Sequence, residues 1–178
     1  MINKKFIDDW SSKYDAKYKE SHRLLEQKIR DKLKRMFPKG KVKYVTKEIL
    51  YDIICWKAPR AKSHAKKNEE GFVREVAKHC FSSNNEQFKV EGLTILKGVK
   101  YRTATTVLNF CFPSKYTVMD YRAWWTLLQS GCLSDKIRDD FKHWQDYLSE
   151  CRKISRRYGC SLRTLDKALW RYSKENQR

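Results

Sequence analysis

Apolar residues recur along most of the chain at intervals of three and four, the period of a helix with one face turned inward. Phe6, Trp10, Tyr14, Tyr18, Leu25, Ile29, Leu33 and Met36 lie opposite a face made mostly of Lys, Arg and Glu. They predict one N-terminal helical stretch, closed by the turn chemistry of "FPKGK" at Phe37 to Lys41. Thr46 is placed to cap a second helix with Ile49, Leu50, Ile53 and Ile54 as its buried stripe, and Pro59 stops it. Asn68 is placed to cap a third, with Glu69 and Glu70 in its first turn and Phe72, Val73, Val76 and Cys80 inward. "SSNNEQ" then reads as a loop or cap before Phe88, Val90, Leu93 and Leu96.

The C-terminal third continues the pattern. Ser134 is expected to cap a long helix through Arg157 that carries Ile137, Phe141, Trp144, Leu148 and Ile154. Gly159 in "YGC" ends it, and Ser161 opens a last helix with Leu162, Leu165, Ala168, Leu169 and Tyr172 inward. No strand alternation, internal repeat or low-complexity segment interrupts this order. The pattern predicts an all-α protein of about eight to ten helices.

Length and composition then narrow the picture. A chain of 178 residues with 40% apolar content can bury one core, as a single domain or as two helical lobes with a site between them. Forty Lys and Arg against 21 Asp and Glu leave a formal charge of +19, spread from Lys4 to Arg178. Such a field favours a polyanion, because neutralised phosphates release counterions. Nucleic acid is therefore the leading partner, and the protein is expected to be a monomer that makes no use of a membrane. No apolar run is long enough to span a bilayer, and the opening "MINKKFIDDWSSKYDAKY" has no apolar core of a signal peptide, so a cytoplasmic, nucleoid-associated location is expected. Cys55, Cys80, Cys111, Cys132, Cys151 and Cys160 form no C-x-x-C pair and suggest reduced, packed thiols rather than a zinc site or an iron–sulfur cluster.

One stretch carries chemistry. In "LTILKGVKYRTATTVL", Leu93 and Leu96 close one short helix, Gly98 permits a turn, and Thr103, Ala104, Val107 and Leu108 begin another. A turn of this kind aims backbone N–H groups at an anion. Downstream, "TVMDYRAWW" places Asp120 ahead of an aromatic-rich helix, where it suits an N-cap as well as a reactive carboxylate.

"LKGVKYRTA" resembles the helix-hairpin-helix of the DNA glycosylase superfamily (HhH-GPD), usually Leu-Pro-Gly-Val-Gly. "TVMD" resembles the same superfamily's segment bearing its essential aspartate, at a similar spacing. The match covers Leu93 to Trp125, within a helix-hairpin-helix of about residues 90–112 and the segment after it. The resemblance implies a compact multi-helix glycosylase-like fold with Asp120 catalytic. It gives Gly98, Val99 and Lys100 to a DNA phosphate through backbone N–H groups. Main-chain carbonyls of Thr94, Leu96 and Val99 would hold a monovalent cation, Na+ or K+, and Arg122 falls where relatives often carry a histidine near the DNA backbone. Lys100 stands where the family has a second glycine. Arg102 stands where lyase-competent members carry lysine, and a guanidinium cannot form a Schiff base, so the lineup implies a monofunctional enzyme without AP-lyase activity.

A single carboxylate suits that chemistry: it stabilises the oxocarbenium and orients or deprotonates water once the base is flipped out of the stack. Trp56, Tyr121, Trp124 and Trp125 are candidate pocket walls, although tryptophans at helical spacing more often pack in cores, and at least two of the four are expected to be structural. "CWKAPR" sets Trp56, Lys57 and Arg60 at a helix end as an edge for DNA, with Lys62, Lys66 and Lys67 following in a basic connector. Asp166 reads as a surface or structural carboxylate. Three functions stay open: a glycosylase acting in base-excision repair or against hypermodified phage DNA; a non-catalytic helix-hairpin-helix DNA-binding module; and a lyase in which Lys57 or Lys100 replaces the missing lysine.

Overall fold

The computed structural model describes residues 2–177, and the described residues form ten α-helices and two short 3-10 turns, with no strand. The helices are α1 Lys4–Lys17, α2 Glu20–Met36, α3 Lys47–Lys57, α4 Lys62–Ala65, α5 Glu70–Ser82, α6 Glu86–Gly92, α7 Tyr101–Cys111, α8 Tyr121–Gln129, α9 Phe141–Tyr158 and α10 Leu162–Asn176. They divide into two units: residues 2–18 together with 113–177, and residues 19–112.

In the first unit, α1 lies along α10, burying Ile7 and Tyr14 against a helix whose Leu165, Ala168 and Leu169 are fully enclosed. Aromatic rings extend that seam: Phe6 and Trp10 both meet Tyr172, with centroids 5.1 Å away. α8 packs on the other side of α10, tied by the Thr126 hydroxyl donating to the Leu169 carbonyl at 2.8 Å. α9 supplies a buried Trp144, Tyr147, Leu148 and Cys151.

The second unit is arranged around α7. Ten of its eleven residues are buried, Arg102 being the exception. A helix enclosed on nearly every side must satisfy its own polar groups. Thr105 and Thr106 do so by donating their hydroxyls to the Arg102 carbonyl, at 2.9 and 2.8 Å. α2 and α3 pack together and both reach α7, and α5 and α6 close the unit.

Helix ends follow side-chain chemistry. Thr46 accepts from the Ile49 N–H at 3.2 Å and starts α3, Ser161 accepts from Thr164 N–H at 3.0 Å and starts α10, and Gly159 ends α9 in the left-handed region at φ 60°. Four expectations are corrected. The N-terminal apolar stripe is two helices, broken at Tyr18 and Lys19 by extended backbone, because α1 packs on α10 in one unit and α2 on α3 in the other. The helix expected from Ser134 begins at Phe141, capped by Asp140, which accepts from the His143 N–H at 2.9 Å; within the preceding loop the Asp135 carbonyl is taken by the Trp124 indole at 2.8 Å. Phe72, expected inward, is 52% exposed while Val73 and Val76 take the buried positions. Asn68 does not cap α5; Glu69 occupies that place, and Asn68 has a different task.

Candidate functional site

Asn68 is buried and braces the turn at Gly98. Its Nδ2 donates to the carbonyls of Ala65 at 3.0 Å and Lys97 at 2.8 Å, and its Oδ1 accepts from the Lys97 N–H at 2.9 Å. One amide thus ties the connector after α4 to the loop before α7. The turn itself is closed by the Val99 N–H donating to the Leu96 carbonyl at 3.0 Å, with Gly98 at φ 86°, as in a type II turn. Gly98 is fixed sterically as well. A Cβ there would sit 3.1 Å from the Ala65 nitrogen and 3.2 Å from the Ala61 oxygen, both backbone.

That packing brings two sequence features together. The "CWKAPR" segment ends α3 at Lys57, enters a 3-10 turn at Pro59–Ala61, and runs through α4 against the Gly98 turn. Arg60, Lys62, Lys66, Lys67 and Lys100 are all exposed, and among the described residues none of them is ion-paired with a carboxylate. Some cations elsewhere on this unit are neutralised, as Lys32 is by Asp52 and Glu48 and Arg74 by Glu70, while Lys34, Arg35, Lys39, Lys41 and Lys43 at the end of α2 and after it also have no ion pair among the described residues. The Gly98 turn is thus one place on this unit where positive charge stays unpaired.

Lys100 precedes α7 in extended backbone at φ −100°, a conformation any residue adopts, so a glycine is not needed there. Val99 is buried, and Arg102 is partly buried on the first turn of α7. Ile95, exposed to 60% beside the turn, was not singled out by its sequence pattern, since a lone apolar residue in a short helix looks like core. For the cation expected at Thr94, Leu96 and Val99, the Leu96 carbonyl already accepts the turn hydrogen bond. No group of three or more His, Cys, Asp or Glu that could hold a metal ion occurs among the described residues.

Asp120 belongs to the first unit. It is partly buried, in extended backbone at φ −133°, and Oδ1 accepts from the Arg122 N–H at 2.9 Å, which makes it the N-cap of α8. The segment leading to it is strapped down. Tyr116, Thr117, Val118 and Met119 are buried, Tyr147 donates its hydroxyl to the Val118 carbonyl at 3.1 Å, and Arg152 donates twice to the Lys115 carbonyl at 2.9 and 2.6 Å. Burial pushes the Tyr147 hydroxyl well above the ordinary tyrosine range, so it remains a donor. The carboxylate is therefore held on a rigid segment rather than on a mobile loop.

The aromatic candidates separate. Trp124 is buried, its indole N–H donates to Asp135, and its ring stacks on Tyr147 at 5.6 Å and 11°, which commits it to the core. Trp125 is partly buried beside Tyr172. Trp56 meets Phe110 edge-on at 5.3 Å and is partly buried. Tyr121 is half exposed, and its hydroxyl accepts from Gln177 at 2.9 Å. Arg122 lies over the Trp170 ring, 5.7 Å from its centroid. Asp166 is buried and ion-paired with Arg163, a structural carboxylate.

The thiols are all free, and burial pushes that of Cys80 up to about 11 and those of Cys111 and Cys151 higher still, so none of these three is a ready nucleophile at neutral pH. No helix among the described residues is long and apolar enough to cross a membrane. The chain matches no family model, no curated protein and no solved structure.

Proposed function

We propose that the chain is a monofunctional DNA glycosylase. The observation that carries the reading is a glycine turn between two helices, beside exposed cations that no carboxylate among the described residues neutralises. A phosphodiester supplies the missing negative charge, and backbone N–H groups at Gly98 and Lys100 supply hydrogen bonds to it, that of Val99 being spent on the Leu96 carbonyl. What favours chemistry over binding alone is Asp120, a partly buried carboxylate at the end of a strapped, otherwise buried segment.

In the reaction the bond between deoxyribose C1′ and the base nitrogen breaks, and its electron pair leaves with the base. Asp120 stabilises the positive charge that builds on the sugar and accepts a proton from the attacking water, whose hydroxide bonds to C1′. The departing base takes up a proton, leaving an abasic site. Arg102 at the family's lysine position offers no amine for a Schiff base, which favours hydrolysis over strand cleavage. The target base is one that leaves readily or is rare in host DNA, in repair or in defence against modified phage genomes.

The second reading, a DNA-binding module, is favoured by one observation: the N-cap bond to Arg122 N–H already gives Asp120 a structural purpose. The two are separated by incubating the protein with genomic DNAs and with duplexes carrying lesions and modified bases, glucosylated cytosine included, and scoring strand breaks with and without alkali. Alkali-dependent breaks that disappear in Asp120→Asn, which retains a capping side chain, are expected. Breaks without alkali overturn the monofunctional assignment, and DNA binding with no base released from any substrate establishes the module.

A further inference from the structure

The end of α10 carries a second concentration of charge. Of the cations on this helix, Arg163 is paired with Asp166, Lys167 with Asp15 and Arg171 with Glu175. Lys174 has no carboxylate partner among the described residues; its ammonium lies 5.0 Å from the centroid of the Trp170 ring. Arg122, arriving from the first turn of α8, approaches the same ring at 5.7 Å and is likewise outside any ion pair among the described residues. One indole thus holds two cations from two helices, within the range where ring and cation attract. Neither cation has a carboxylate partner among the described residues, so the ring gathers charge that an anion can neutralise.

Next to Arg122 in the chain, Tyr121 presents a half-exposed ring, with its hydroxyl anchored to Gln177 beyond the end of α10. An anchored, exposed aromatic beside two unneutralised cations is the arrangement that single-stranded nucleic acid requires: a face on which a base stacks, and charge that follows the phosphates. We propose that Tyr121, Arg122 and Lys174 form a binding surface for single-stranded DNA. One phosphate sits against Arg122 and Lys174, the adjacent base stacks on Tyr121, and Trp170 is the positioning residue for the two cations. The inference rests on DNA as the partner in the proposed function, and not on base release.

The test measures binding of the full chain to a fluorescent 20-nucleotide single strand and to the matching duplex over a salt series, for Tyr121→Ala, Arg122→Gln and Lys174→Gln. Lys142→Gln, on a lysine paired with Asp146 on α9, controls for loss of one charge. Tyr121→Ala is expected to weaken single-strand binding about tenfold and duplex binding far less. Lys174→Gln and Arg122→Gln each weaken it about three- to tenfold and lower the salt slope by about 0.7, with Lys142→Gln close to the parent. Lys174 is exposed, so its variant folds. Single-strand binding unchanged in all three, or equal losses on duplex and single strand, or an equal loss in Lys142→Gln, overturns the surface. These outcomes stand apart from catalysis: lost binding with no base ever released sinks the glycosylase reading alone, and base release with unaltered single-strand binding sinks this one alone.

Discussion

Gly98 and Asn68 act on the same few atoms from opposite sides. Gly98→Ala forces a side chain into the left-handed region and pushes a methyl onto the backbone at Ala61 and Ala65, for a cost of about 1–3 kcal/mol. Asn68→Leu removes three hydrogen bonds and strands a buried amide partner, at about 2–4 kcal/mol. Both variants should lower the urea midpoint, and both should lose DNA affinity beyond what the stability loss explains; retained affinity in both would separate the turn from DNA. Gly98 was legible in the sequence because only a turn explains glycine between two apolar helical runs. Asn68 was not, since an asparagine ahead of two glutamates satisfies the rule for a helix cap, and only the fold reveals that its amide faces Lys97 instead. Asp120 was legible as a cap from its place before an amphipathic helix, and its burial was not, because the strap on that segment comes from Tyr147 and Arg152 on a distant helix.

Between α2 and α3 lies an ion pair that no helical pattern could have announced. Lys32 donates to Asp52 and Glu48 at 2.6 Å each, with Asp52 buried and Lys28 as a weaker second partner at 3.3 Å. Burial acts to lower the Lys32 pKa, but the two carboxylates outweigh it and hold it above the ordinary lysine value. A raised value means the pair's contribution is complete below the ordinary lysine range and is withdrawn as pH climbs through the raised pKa. Lys32→Met should therefore cost about 2–4 kcal/mol at neutral pH, with the gap to the parent narrowing as pH climbs past the ordinary lysine value, and Lys32→Met with Asp52→Leu should recover most of the loss. A gap that widens with pH would refute this assignment. The surrounding helices were legible wherever a local cap set their ends, as at Thr46, Gly159 and Ser161. They were misread where tertiary bonding decided, as at residues 134–140, where the indole of Trp124 takes a carbonyl that a helix would have used.

At the scale of the molecule the charge of +19 is unevenly neutralised. Ion pairs occupy many of its cations, while Arg60, Lys62, Lys66, Lys67 and Lys100 around the Gly98 turn, and Arg122 and Lys174 at the Trp170 ring, have no carboxylate partner among the described residues. Duplex affinity should accordingly fall steeply with salt, with a slope of about −4 to −6 in log–log form if the cations at the turn engage phosphates. Lys100→Glu should reduce that slope by about 1–2, and an unaltered slope would place the phosphate contacts elsewhere. The all-helical class was legible from periodicity alone. Two helical lobes were among the expectations, but where the chain passes between them was not legible, because the apolar stripe runs unbroken across Tyr18.

That division gives α1 an unusual wait. Its partner α10 leaves the ribosome well after it, and the whole of residues 19–112 emerges in between as one continuous piece. At roughly 5–20 residues per second, the aromatic face of α1 spends on the order of ten seconds or more without its mate. The inserted unit has every element it needs within that interval, so it is free to fold first, and a helix made before it finds its place after it.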